Sequence, residues 1–227
     1  MDIAENIRKV QARIQEAAGK TGRSLKDITL VAVTKGVPVE SALAAKDAGI
    51  GVFAESRVQE ALEKAPVVPA EWHFIGHLQS NKVDAAIGLF SLIQSVDSTR
   101  LAEKIHAAAL ATNQTVSALL EINLSGERQK YGFAPEEIYG AADALKSFSC
   151  LRVLGLMGIA PNSPDPAVRR AAFKKLKNIF SVCKTIKNEN FQMTHLSMGM
   201  SDDFEIAIEE GSNLVRVGRA IFGERKS

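Results

Sequence analysis

Cysteine is almost missing from this sequence: the 227 residues include 2, Cys150 and Cys183, set far apart. With no CxxC pair and no closely spaced set, the chain holds neither a disulfide framework nor a dithiol redox centre. An excess of either charge is missing too. Lys and Arg number 28 against 26 Asp and Glu, a formal net charge of +2, whereas a nucleic-acid module normally carries a pronounced basic excess. Long apolar runs are also lacking. The longest charge-free stretch, residues 105–120, contains His106, Thr112, Asn113, Gln114, Thr115 and Ser117, so no bilayer span can be drawn through it. The opening Met1-Asp2-Ile3-Ala4-Glu5 lacks the basic-then-apolar layout of a secretory leader. These absences predict a cytoplasmic protein with neither nucleic acid nor membrane as partner. What is present is ordinary, 46% hydrophobic and 24% charged residues, enough to bury a substantial core in one domain spanning 1–227.

The order of elements is the first positive signal. Ile3, Ile7, Val10, Ile14 and Ala17 recur at helical spacing, and Gly19 and Gly22 close that helix. The run Ile28 to Thr34 is short, apolar and β-branched, as in a strand buried on both faces. From there strand and helix alternate. Strands are predicted at 51–54, 72–75, 89–93, 116–122, 151–156, 194–197 and 213–217, and helices at 39–48, 57–64, 80–88, 98–111, 135–146, 166–187 and 202–210. Pro135 with Glu136 and Glu137 suits a helix start. In the long helix, Val168, Ala172, Leu176, Ile179, Val182 and Ile186 are expected to face inward. Eight strands, nearly all followed by helices, predict an α/β fold: a (β/α)8 TIM-type barrel, with the extra first helix capping one side.

Several motifs mislead. Gly19-Lys20-Thr21 imitates the end of a phosphate-binding loop, but the earlier glycine is missing at Ile14 and the segment ends a helix. The GxGxxA spacing from Gly49 precedes a strand where a dinucleotide fingerprint must follow one. His73 and His77 straddle a strand end with no further ligand to complete a metal set, which favours structural or pocket-lining roles. The basic run from Arg169 to Lys177 reads as the solvated face of a helix.

In a parallel barrel, chemistry sits at the C-terminal ends of the strands. Lys35 follows directly after the first strand. There it either snorkels to solvent or, pointing into the mouth and desolvated, supplies a neutral amine able to condense with an aldehyde. The seventh and eighth strands run into the glycine-containing turns Ser197–Asp203 and Arg216–Ala220, and loops at those positions hold phosphate in many barrels. A lysine facing paired anion turns suggests a phosphorylated aldehyde, pyridoxal 5′-phosphate first among them.

The segments Leu30 to Lys35, His73 to Lys82, Gly155-Leu156-Met157, Ser197 to Asp203, and Val215 to Gly218 with Ala220 to Gly223 together closely resemble the pyridoxal phosphate homeostasis family (YggS/PROSC-like, alanine-racemase-like). The likeness runs over essentially the whole chain. It implies a single pyridoxal-phosphate-binding barrel in which Lys35 forms the internal aldimine. Backbone around Gly199, Ser201, Gly218 and Arg219 would hold the phosphate, with help from the Ser201 hydroxyl. Arg216 would approach the pyridine nitrogen, and Ser56, His77 and Met198 would complete the cofactor contacts. Two positions depart from the family pattern. Ser56 stands where an asparagine amide is usual, and Arg219 replaces a threonine. Lys130, in the segment Glu127-Arg128-Gln129-Lys130, matches a family lysine on the loop after the fifth strand.

Three functions fit these residues. The resemblance favours a non-catalytic carrier that takes part in homeostasis and supply of pyridoxal phosphate, a monomer handing cofactor to pyridoxal-phosphate-dependent apo-enzymes. A pyridoxal-phosphate-dependent amino-acid racemase or decarboxylase is the alternative. It is disfavoured because the chain ends at Ser227, soon after the eighth strand, leaving no C-terminal β-domain, and because no acid–base group opposite Lys35 can be named. A Schiff-base aldolase acting on a sugar phosphate is third. No metal is expected.

Overall fold

The computed structural model describes residues 2–127 and 129–224; Arg128, within the loop segment quoted above, and Ser227 lie outside them. The chain opens with α1 (Ile3–Gly19), and the barrel follows as β1 (Thr29–Val33), α2 (Val39–Asp47), β2 (Val52–Glu55), α3 (Val58–Lys64), β3 (Glu71–Phe74), α4 (Val83–Leu89), β4 (Leu92–Val96) and α5 (Thr99–Ala111). The second half is β5 (Val116–Ile122), α6 (Ile138–Leu145), β6 (Leu151–Gly158), α7 (Pro166–Cys183), β7 (Phe191–Ser197), α8 (Phe204–Glu209), β8 (Leu214–Val217) and α9 (Arg219–Phe222). The eight strands pair in sequence order, all parallel, and β8 closes on β1.

Burial on both strand faces divides the apolar core in two. Alternate residues Val31, Ala54, Leu92, Leu119, Met157 and Leu214 form a cluster inside the barrel. Their neighbours on the other face, including Ala32, Phe53, Ile93 and Leu120, join the larger core between strands and helices. This period of two on a doubly buried strand is why those runs read as nearly continuous apolar sequence.

The structure departs from the sequence reading in several places: β7 starts three residues early, at Phe191, α9 was not expected, and four further details have a physical reason. The first helix packs against α2, α8 and α9, so it takes a place in the outer ring of helices. Ile7, Val10 and Ile14 on its inward face are fully buried there. β4 lies three residues later than expected, because Leu89 ends α4 and Phe90 turns inward to pack on Phe74, ring centroids 5.1 Å apart. Two adjoining apolar runs carry no periodicity that separates them. α6 begins at Ile138, after a turn in which the Glu137 carboxylate accepts the Ala134 N–H at 2.9 Å. On α7, Val168 and Val182 are exposed and Ile186 lies past its end, while Phe173, Leu176 and Phe180 turn inward.

β6 carries an irregularity at Gly155, where its register shifts against both neighbours. The close approach of β7 explains the glycine: a Cβ here would lie 1.8 Å from the His195 carbonyl oxygen. Since that neighbour is backbone of the adjacent strand, Gly155→Ala is expected to cost about 3 kcal/mol by forcing the strands apart. Urea unfolding of the variant beside the parent chain measures it.

Candidate functional site

The C-terminal mouth of the barrel holds a cavity of about 330 Å³ with Lys35, Ser56, Ser201, Arg216, Gly218 and Arg219 among its walls. Six of the nine residues expected to contact a ligand are therefore brought together. The other three lie elsewhere. Met198 is fully buried, its N–H donating to the Leu214 carbonyl and its own carbonyl accepting the Ser212 hydroxyl. Gly199 sits behind the turn at φ +92°, where a Cβ would come within 2.5 Å of the Ala207 side chain; its backbone lets the Ser201 turn fold down on α8. His77 stands away from this cavity, beside a smaller one next to Ser56. Its Nδ1 is 2.9 Å from Asp97 Oδ2, and its ring stacks on Tyr131 at 3.8 Å.

Lys35 is held in place by its neighbours. Thr34 before it is buried, and its carbonyl accepts a hydrogen bond from Lys64 Nζ at 2.7 Å. The same ammonium donates to Glu55 Oε1 at 2.6 Å, and the Thr34 hydroxyl donates to that oxygen at 2.7 Å. After Lys35, Gly36 turns at φ +66° and donates its N–H to Glu60 Oε2 at 2.8 Å. Burial raises the Glu60 pKa, but the Gly36 N–H and Lys64 outweigh it and leave the net shift downward. Glu55 is inaccessible to solvent and Lys64 almost so; Lys64 compensates the Glu55 charge and has a second carboxylate, Glu60, at 3.5 Å.

One end of the cavity is formed by the turns after β7 and β8. The backbone N–H groups of Ser201, Asp202 and Arg219 meet no acceptor among the described residues. The Ser201 hydroxyl accepts the Ala220 N–H at 3.3 Å, which keeps its own proton available. At Gly218 a Cβ would approach the Val33 carbonyl to 3.3 Å, so the glycine lets this turn pack closely on the end of β1. The Arg219 side chain pairs with the Asp202 carboxylate and, at 3.4 Å, with Glu224. It thus clasps the two turns together, with its charge already compensated.

Arg216 forms the floor. It is buried, and burial lowers its pKa to about 10, with Glu121 and Asp203 acting in the opposite direction. It stays charged at neutral pH. Glu121 was absent from the sequence reading. It lies on β5 in register with Met157, itself in register with Ser197, whose side chain meets Arg216 inside the barrel; all three point inward. Burial raises its carboxyl to about 7, Asp97 adds to the rise, and Arg216 opposes it. A glutamate in a β-strand has no sequence signature of this role, because the register that turns it inward is set by the whole barrel.

Two outcomes follow from these charges. Lys64→Met leaves the Glu55 carboxylate buried without a cation and is expected to cost about 3–5 kcal/mol, most of it recovered in the double variant with Glu55→Gln; denaturant unfolding of both reads the difference. For Glu121, the folded pKa lies above the unfolded value, so its contribution is complete below about pH 4.5 and is lost as pH rises through about 7. Glu121→Gln is therefore expected to gain about 2–3 kcal/mol relative to the parent between pH 5 and 8, read as a difference in the pH profile of Tm.

Known proteins share this fold over nearly the whole chain. The family described as "Alanine racemase, N-terminal domain" matches residues 2–226. A protein of Aquifex aeolicus named pyridoxal phosphate homeostasis protein is 39% identical over 229 residues, all of both chains. A Pseudomonas aeruginosa protein of the same name is 40% identical, covering 98% of this chain and 96% of that one. Among solved structures, PipY of Synechococcus elongatus, with pyridoxal phosphate bound, superposes with a TM-score of 0.83 at 30% identity over 97% of this chain and all of PipY. An alanine racemase of Clostridium difficile, at 18% identity and a TM-score of 0.72, is covered over 56% of its length and shares the fold. The chain belongs to the alanine racemase N-terminal domain family, on the branch of the pyridoxal phosphate homeostasis proteins.

Proposed function

We propose that this protein binds pyridoxal 5′-phosphate in the mouth of its barrel and takes part in the homeostasis and supply of that cofactor. The observation that carries the reading is the placement of Lys35, held between two braced residues, in one cavity with the Ser201 and Gly218 turns. When bound, the cofactor supplies an aldehyde that condenses reversibly with a primary amine. Lys35 offers that amine. The unpaired N–H groups of Ser201, Asp202 and Arg219, with the Ser201 hydroxyl, offer donors to a phosphate. Arg216, on the floor of the same cavity, would face the ring nitrogen. A guanidinium has donors only, so it would leave that nitrogen unprotonated and the ring a weak electron sink. That limits carbanion chemistry and suits a carrier better than a racemase or decarboxylase.

The relatives at 39% and 40% identity are named for homeostasis, not for a reaction, which supports a role without significant turnover. No helix among the described residues is long and apolar enough to cross a membrane. In this reading one barrel domain acts in the cytoplasm as a monomer and passes the cofactor to pyridoxal-phosphate-dependent apo-enzymes.

The test is a visible spectrum of the protein after addition of pyridoxal phosphate, before and after borohydride reduction, with peptide mass spectrometry. A yellow band that bleaches, and a pyridoxyl group on Lys35, are expected. Lys35→Ala is expected to lose both while keeping the parent's circular dichroism. A colourless parent, or a variant with the parent's absorbance, overturns the reading. A colourless protein that still traps a sugar phosphate on Lys35 would favour the aldolase.

A further inference from the structure

Polar side chains inside a barrel are costly to bury, yet four meet there in one line. Arg216 Nη1 donates to Ser197 Oγ at 2.5 Å, and Ser197 Oγ donates to Gln94 Oε1 at 2.6 Å. Gln94 Nε2 stands 2.9 Å from His73 Nδ1. All four residues are buried, Gln94 and Ser197 completely. The line runs from the cavity that holds Arg216 and Lys35 to a second cavity of about 350 Å³ at the other end of the barrel, lined by His73, His195 and Glu71.

The direction of every bond follows from its first member. A guanidinium only donates, so the Ser197 oxygen accepts from it. The single hydroxyl proton then goes to the other neighbour, which must present the Gln94 oxygen. The Gln94 amide nitrogen is thereby turned to His73, whose Nδ1 must be the bare acceptor. Only the neutral imidazole with its proton on Nε2 meets that condition. Burial, with His195 adding to it, lowers the His73 pKa to about 4, in keeping with a ring held neutral. Arg216 has a second anchor in the Gly158 carbonyl at 3.1 Å, which fixes one edge of the guanidinium; the line through Ser197 fixes the other.

We propose that Gln94 is a positioning residue for Arg216, holding the guanidinium toward the cofactor through the Ser197 hydroxyl and itself held by the Nε2–H tautomer of His73. The proposal rests on Arg216 facing the cofactor ring, as read above. Because the bonds are one-way, a substitution that keeps an acceptor toward Ser197 preserves the arrangement. One that removes the acceptor releases Arg216.

Two measurements test it. In the cofactor-free protein, ¹⁵N NMR of the four imidazoles is expected to show His73 neutral between pH 6 and 8 with Nδ1 unprotonated; a proton on Nδ1 overturns the proposal. In the loaded protein, Gln94→Leu and Ser197→Ala are each expected to weaken pyridoxal phosphate binding roughly tenfold, the loss of about one hydrogen bond to a charged group, and to shift the visible band. Gln94→Glu, whose carboxylate still accepts from Ser197, is expected to keep the parent's band and to place a proton on His73 Nδ1. Parental affinity and band in both Gln94→Leu and Ser197→Ala overturn the proposal, as does loss of the band in a folded Gln94→Glu. If the parent itself binds no cofactor, the functional reading fails and the Arg216 role falls with it; the NMR result then still distinguishes that failure from a wrong bond order in the line.

Discussion

The Glu55–Lys64 ion pair is the constraint on which the site depends. Two opposite charges with almost no access to solvent sit at the end of β2 and on α3, and such a pair persists only where further hydrogen bonds satisfy both partners. The Thr34 carbonyl and hydroxyl provide them. Thr34 is the residue before Lys35. The cost of burying the charges is thus coupled to the placement of Lys35, the one amine lining the cavity among the described residues. Glu60 extends the device by taking the Gly36 N–H on the other side, so the backbone on both sides of Lys35 is tied to α3. A lysine on a free loop would sample solvent; here the backbone on either side of its Cα is tethered.

The mouth is electrostatically uneven. On the side of β7 and β8, backbone N–H groups and the Ser201 hydroxyl present donors, and the Arg219–Asp202 pair clasps the turns without leaving a free charge. On the side of β4 and β5, Asp97 and Glu121 present carboxyl groups, with His77 and Tyr131 stacked above. Arg216 lies between them, which is why a guanidinium so deeply buried remains charged: Glu121 and Asp203 offset its desolvation. An anionic group is drawn to one side and a cationic or neutral one tolerated on the other. Under the proposed function, that polarity would favour a ligand whose phosphate faces the turns after β7 and β8.

The barrel interior is likewise divided along its axis. Apolar residues such as Val31, Leu119 and Leu214 fill most of it, and the polar line of His73, Gln94, Ser197 and Arg216 threads through. Each of the four side chains is hydrogen-bonded to the next, and a buried network connected in this way favours one arrangement. The mouth and the far cavity are thereby joined by bonds whose direction is fixed from one end.

The alternation of short apolar runs and amphipathic segments by itself determined eight strands in a parallel α/β order, because burial on both faces writes a local pattern; it favoured a barrel over an open doubly wound sheet, and the pairing of β8 with β1 decided closure. Lys35 and the turns Ser197–Asp203 and Arg216–Ala220 were legible as strand ends that converge on one face of a barrel; the individual parts of Ser201, Arg216 and Gly218 came from the family resemblance, and the structure brings these residues to one cavity. Where local signals merged, the reading slipped, as at Leu89 and Phe90, where helix end and strand start are both apolar, and on α7, where Val168 and Val182 keep helical spacing yet face solvent. Met198, Gly199 and His77 belong to the right segments but stand behind or beside the cavity, since a motif names neighbours in sequence and not which side chain faces inward. The tertiary structure alone decided the partners that lie far apart in the chain: Glu55 with Thr34 and Lys64, Glu121 with Arg216, and Gln94 with Ser197, 103 residues away. Each depends on the register and closure of the whole barrel, a property that no single segment carries.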